Sequence, residues 1–200
     1  MGSAITFDAE RHEYRDEAGN LVPSVTQIIR AAGLSDSRWY NEHARMRGTA
    51  VHTAIQYLNE GTLDESSVIP EVDAYLRGYR RFLQQTGFVV QAYEQRVFNP
   101  IYRYAGTMDL LGTLNGKSTV IDIKTGSVPV WAGLQLAAYG ACIPPGVHQR
   151  FALNLTEDSL YKLVPFADRN DFNVFAGACA VASWKAAHNV PSEKHEGAET

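Results

Sequence analysis

Asn115-Gly116 stands between two runs of strand-forming residues, and it constrains this chain more than any other pair. Asn-Gly is the strongest short-range signal for a two-residue type I′ hairpin, because both central positions need positive φ. Such a turn fixes the register of the strands it joins. Leu114 must pair with Lys117, and counting outward sets Asp109 opposite Asp122 and Thr107 opposite Lys124. Alternation then sends Asp122 and Lys124 to one face of the sheet and Ile121 and Ile123 to the other. Directly opposed side chains have Cβ atoms roughly 4.5–5.5 Å apart. Two carboxylates held that close repel unless positive charge lies between them. A divalent cation with oxygen ligands meets that need, and Lys124 adds a second positive charge.

Around this hairpin the pattern predicts an α/β (α+β) chain. Residues 5–25 read as a β-hairpin, with strand-like pieces at 5–7 and 12–14 and turn composition at 17–20. Pro23-Ser24-Val25-Thr26 supplies caps for a short helix ending near Gly33. A longer helix is predicted from about Ser37 to Asn59, with Val51, Ala54, Ile55 and Leu58 as its core stripe. A polar loop over 61–70 leads to a helix from about Glu71 to Gln85, closed by Thr86-Gly87. Strands follow at 88–98, 101–114 and 117–124, then a helix near 130–142, strands near 149–156 and 159–165, and a helix from about Asp168 to His188. Two hundred residues suit one domain, here 1–189, with 190–200 as a frayed polar tail.

Composition narrows the function. A net charge of −4 argues against a polybasic protein that holds nucleic acid by charge alone. It leaves room for an enzyme that meets DNA through a local basic surface and a metal. No run approaches the roughly 18 apolar residues of a membrane span, and no signal pattern opens the chain. Two cysteines, Cys142 and Cys179, make neither a disulfide framework nor a four-cysteine metal site, which points to a reducing, cytoplasmic setting.

Other residues are ambiguous by themselves. His52 lies at the edge of its helix's apolar stripe, where Gly48 and Ala50 keep the turn slim enough for another element to approach. Glu94 is either an exposed strand residue or part of a site. Trp131, Gln135 and Tyr139 share one helix face, as packing or as recognition. Arg77, Arg80 and Arg81 share another, and Arg38, Arg45 and Arg47 cluster before His52. Such arginines are usually solvated, but they are where an acidic protein holds phosphates.

Taken in order, Arg47-Gly-Thr-Ala-Val-His52, Glu94, Gly106-Thr-Met-Asp109, Asp122-Ile-Lys-Thr-Gly126 and Gln135-Leu-Ala-Ala-Tyr139 resemble the PD-(D/E)XK nuclease superfamily. The likeness is to its RecB-type branch, which includes phage exonucleases and the mitochondrial genome-maintenance exonuclease. The match spans about 47–139. Pro23-Ser24-Val25-Thr26 and its short helix also look like phage members of this branch.

The resemblance implies a restriction-endonuclease-like core, a central mixed sheet flanked by helices, with 88–165 as catalytic sheet and motif helix. It implies a metal-dependent DNA exonuclease of phage recombination, replication or repair. His52, Asp109, Asp122 and the backbone carbonyl of Ile123 would bind Mg²⁺ or Mn²⁺, with Glu94 supporting the metal or its waters. Lys124 would position or deprotonate the attacking water. Gln135, Tyr139, Thr125, Arg47, Arg77, Arg80 and Arg81 would brace the site or touch DNA. Some RecB-type members carry four cysteines for an iron–sulfur cluster, and two cysteines rule that version out. A single-strand annealing or single-strand-binding protein is the implied partner, in the cytoplasm of the host if the chain is phage-encoded. The competing readings are a structure-specific endonuclease and a nuclease-fold module that binds DNA or protein without cutting.

Overall fold

Asn115 and Gly116 adopt φ of 51° and 72°, the paired positive values that a type I′ turn requires. They close a hairpin between β5 (Tyr104–Leu114) and β6 (Lys117–Lys124) in the computed structural model, which describes residues 5–35 and 42–191. The register is the expected one from Leu114–Lys117 through Leu110–Ile121. There it stops. Asp109 and Asp122 are not a ladder pair, and Thr107 pairs with Arg96 on β4 (Val89–Asn99) instead of standing opposite Lys124.

The cause is local. The N–H of Ile123 donates to Oδ2 of Asp109 at 2.6 Å, so a carboxylate stands in for the next backbone acceptor of the ladder. The pleat also inverts at this point. Leu110 packs in one core and Met108 in the other, although strand residues two apart ordinarily share a face. Beside them Glu94 adopts φ of 45°, and a bulge lies between Val90 and Ala92.

Five strands form the main sheet in the order β4-β5-β6-β7-β8, where β7 is Gln149–Leu155 and β8 is Tyr161–Pro165. The β6–β7 pair is parallel and the other neighbours are antiparallel, so the sheet is mixed. A parallel pair needs a crossover, which α4 (Ala132–Gly140) provides. On one face α2 (Glu42–Glu60) and α3 (Pro70–Thr86) bury Val51, Ile55, Leu76 and Phe82 against Leu110, Ile121 and Ile123. On the other, α1 (Val25–Ala31), α4 and α5 (Asp171–Ala187) bury Ile29, Leu136 and Phe175 against Tyr104, Met108 and Val120. The architecture is α/β with a central mixed sheet flanked by helices.

The start of the chain holds one strand more than its sequence suggests. β1 (Thr6–Asp8), β2 (Glu13–Arg15) and β3 (Leu21–Val22) form a small antiparallel sheet. Its Tyr14 and Val22 pack on Ala105, whose N–H donates to the carbonyl of Pro23 at 3.0 Å. Ser24 and Gln27 form the capping box of α1. β5 begins at Tyr104 rather than 101, because Asn99 Oδ1 accepts the N–H groups of Ile101 and Tyr102 and turns the chain. Ser37, the expected start of the second helix, and Arg38 lie outside the described residues, as does most of the polar tail. Among the described residues no helix is long and apolar enough to cross a membrane.

Candidate active site

Val51, Ala54 and Ile55 anchor α2 to the sheet, and the same turn of helix carries His52 toward the point where the β5–β6 ladder stops. Its Nε2 lies 3.1 Å from the carbonyl oxygen of Ile123. Its Nδ1 lies 3.5 Å from Oε1 of Glu94 and 3.6 Å from Oδ1 of Asp109. One ligand atom from each of His52, Glu94 and Asp109 falls within 4.8 Å of the others. The left-handed backbone at Glu94 breaks the alternation of β4 beside Asp109, and its side chain joins this cluster.

Asp122 is 2% exposed, on the face opposite Ile121 and Ile123. Its Oδ2 forms a buried ion pair with Nζ of Lys124 at 2.7 Å. Lys124 Nζ also donates to Oε1 of Gln135 at 3.5 Å and lies 5.5 Å over the ring of Trp131. Gln135 Nε2 in turn donates to the hydroxyl of Tyr139 at 3.2 Å. Gly106 makes room for that ring, since a Cβ there would stand 2.6 Å from Cε1 of Tyr139. The helix face of Trp131, Gln135 and Tyr139 is therefore built around the lysine.

Burial opposes charge throughout. It pushes the carboxyls of Asp109 and Asp122 up, against the opposite pull of His52 on the first and Lys124 on the second. On His52 burial favours the neutral ring, but Asp109, Glu94 and Asp122 together outweigh it and lift its pKa to about 9. The imidazolium thus stands among these acids as their counter-charge. A cation could take its place. The donors are an imidazole, carboxylates and the Ile123 carbonyl, a set that suits Mg²⁺ or Mn²⁺. Asp122 itself leans toward Lys124 and stands outside the closest His52–Glu94–Asp109 grouping.

The arginines divide. Arg47 donates from Nη2 to the carbonyl of Thr125 at 3.1 Å, which ties α2 to the segment just after Lys124. Arg77 is engaged by Asp73 and by Ser159, and Arg80 by Glu65; Arg81 is exposed on the same helix. These last three stand on α3 apart from the cluster's hydrogen bonds and ion pairs.

Two contacts were not foreseen from the sequence. Tyr14 shares a 2.8 Å hydrogen bond with Thr107, fastening the small sheet beside the site. Trp131 covers Lys124, a contact signalled only by its place one turn before Gln135.

Comparison with family models and with curated protein sequences finds no match. Solved structures do resemble the chain. The alkaline exonuclease LHK-Exo of Laribacter hongkongensis superposes with a TM-score of 0.44 at 12% identity, covering 84% of this chain and 88% of that one. Its complex with dAMP gives 0.44 at 14% identity, with 84% and 89% covered. A candidate exonuclease from Eubacterium rectale gives 0.51 at 10% identity, with 82% and 74% covered. At 10% identity that last likeness is one of fold, helices on both faces of a mixed sheet.

Proposed function

We propose that this chain is a metal-dependent deoxyribonuclease of the PD-(D/E)XK type that acts as an exonuclease. The observation that carries the reading is the meeting of the Asp122–Lys124 pair, 2.7 Å apart, with the His52–Glu94–Asp109 cluster where the β5–β6 ladder opens. Phosphodiester hydrolysis needs an attacking water in line with the leaving oxygen and positive charge against the phosphate. His52, Asp109, Asp122 and the Ile123 carbonyl would hold Mg²⁺ or Mn²⁺, with Glu94 at their edge, and the ion supplies charge neutralisation at the phosphate. Lys124 holds a proton donor at the same place and orients water. Gln135 fixes its Nζ, and Tyr139 fixes Gln135. Arg47 steadies the backbone at Thr125, next to the lysine.

DNA as substrate draws support from the sequence motifs, and the preference for strand ends from those motifs and from the exonuclease name of the Eubacterium rectale neighbour. The RecB-type branch, a phage recombination, replication or repair setting, and a single-strand annealing or single-strand-binding partner rest on the motif resemblance. The test is digestion of end-labelled linear single-stranded, linear duplex and circular DNA with Mg²⁺, Mn²⁺ or chelator, for wild type and Lys124→Ala. Metal-dependent loss of linear DNA alone, abolished by the substitution, is the expected result. Cutting of circles makes the protein an endonuclease. No cleavage with either metal, while DNA is still bound, leaves a non-cutting module.

A further inference from the structure

Asn154 is the ladder partner of Lys124 across the parallel β6–β7 pair. Its neighbours Leu153 and Leu155 enter the core under α2 and α3. Alternation therefore turns Asn154 to the other face of the sheet, the one that carries Asp122 and Lys124. Half-buried there, its side-chain amide faces two acceptors, the carbonyl oxygens of Lys124 and Gly126. Only the nitrogen end of an amide donates, so Nδ2 takes that place, at 3.2 Å from Lys124 and 2.8 Å from Gly126. Two more side chains complete a series. Nε2 of His52 faces the carbonyl of Ile123 at 3.1 Å, and Nη2 of Arg47 donates to that of Thr125 at 3.1 Å. Each carbonyl from Ile123 to Gly126 thus meets a side-chain nitrogen, from α2 or from β7.

β6 ends at Lys124, and beyond it no strand fixes the backbone. A lysine ammonium sits on a flexible four-carbon stem, so its direction depends on how firmly the root is held. Asp122 and Gln135 engage the tip. We infer that Asn154 is a positioning residue, which pins the main chain on both sides of Thr125 and so directs Nζ of Lys124 at Asp122 and Gln135. What the lysine does once aimed rests on the nuclease reading. The inference adds a residue on β7, beyond the last sequence motif at Tyr139. Asn154 holds backbone and not Nζ, so its loss should slow bond breaking and leave substrate affinity alone.

Asn154→Leu keeps the shape of the side chain and removes its donor, and Asn154→Ala removes both. Leu163→Ala is the control, because Leu163 on β8 pairs with Leu153 and packs in the same core without touching residues 123–126. Melting temperature reports folding, and kcat and KM on linear DNA with Mg²⁺ or Mn²⁺ are measured below every melting transition. Each Asn154 variant should lower kcat by about 10–100-fold with KM within about twofold, while the control keeps both within about twofold. A kcat equal to the control's, or a loss carried by KM alone, overturns the assignment. Nuclear magnetic resonance in EDTA reads the same claim without cleavage. Lys124 lies 5.5 Å over the Trp131 ring, so its Cε protons carry a ring-current shift. Substitution of Asn154 should reduce that shift and move the carbonyl carbons of Lys124 and Gly126 upfield, more than that of Thr125. Unmoved Lys124 protons overturn the positioning role. A protein that shows these shifts but never cuts keeps the positioning and loses the nuclease. One that cuts at the wild-type rate after substitution keeps the nuclease and loses the positioning.

Discussion

Asp109 accepts the backbone N–H of Ile123 at 2.6 Å, and this bond joins the fold to the site. The carbonyl of the same residue faces Nε2 of His52 at 3.1 Å. One residue of β6 therefore orients a carboxylate by its N–H and an imidazole by its C=O. The strands part there because a side chain has taken over a ladder bond.

Asp109→Asn should separate the two roles of that carboxylate. The amide oxygen can still accept from Ile123, so the fold stays within about 1 kcal/mol of wild type. The negative charge is gone, and nuclease activity should fall by about 10²–10³-fold. Asp109→Ala leaves the N–H without its partner and should cost about 1–3 kcal/mol as well. Denaturant melts beside nuclease assays decide the matter. A fully active Asp109→Asn protein would remove this residue from the chemistry.

The pH dependence of the metal-free protein follows from His52. Its pKa in the folded chain is about 9, above the ordinary value near 6.5. A raised pKa means the folded state holds the proton more tightly than the unfolded one. The stabilisation is fully present below about pH 6.5 and is lost as pH rises through about 9, with an upper size of about 3 kcal/mol. Asp109 and Asp122 are also raised, so they too favour the folded state more at low pH than at high pH. Unfolding by urea in EDTA at a series of pH values should show this decline, and His52→Gln should flatten it between pH 6.5 and 9. Stability that rises over that window in wild type contradicts the assigned counter-charge.

What the sequence made legible, and what it did not, has a physical boundary. Register was readable from Asn115-Gly116 because a two-residue turn leaves only one pairing, and it holds for five pairs. It fails at the sixth, where a carboxylate competes with a backbone carbonyl for Ile123, a contest that periodicity does not record. Glu94 was a plausible strand residue, but its φ of 45° is a tertiary outcome with no local sequence signal such as glycine. Arg77 and Arg80 share a helix face as their spacing says. The Asp73–Arg77 pair is an i,i+4 spacing within that helix, but the Glu65 partner of Arg80 was invisible until the preceding turn (Glu65–Ser67) was placed.

Gly106 tests the chain of contacts behind Lys124. A Cβ at this position would stand 2.6 Å from the ring of Tyr139, which holds Gln135 and, through it, the lysine. Gly106→Ala should destabilise by about 1–3 kcal/mol through overpacking and lower the cleavage rate about tenfold. Gly126 meets nothing within 4 Å, and Gly126→Ala should leave the melting temperature unchanged. If Gly106→Ala melts lower but cleaves at the wild-type rate, the Tyr139–Gln135 support is structural only.

The arginines give the sharpest contrast between neighbours in sequence space and neighbours in the fold. Arg77 and Arg80 face acids on the outside of α3, in positions where ion pairs contribute little. Arg77→Ala and Arg80→Ala should each change stability by less than about 1 kcal/mol and cleavage by less than about twofold. Arg47 instead bridges α2 to the carbonyl of Thr125, immediately after the lysine, and its guanidinium lies 5.7 Å over the ring of Tyr75. Arg47→Ala should reduce cleavage by about tenfold or more. Arg47→Lys should restore little, because an ammonium lacks the planar fork that reaches a carbonyl and an aromatic face together. Rates on single-stranded DNA for the four variants measure this directly. A larger loss at Arg80 than at Arg47 would move the DNA-binding surface onto α3 and away from the segment that follows Lys124.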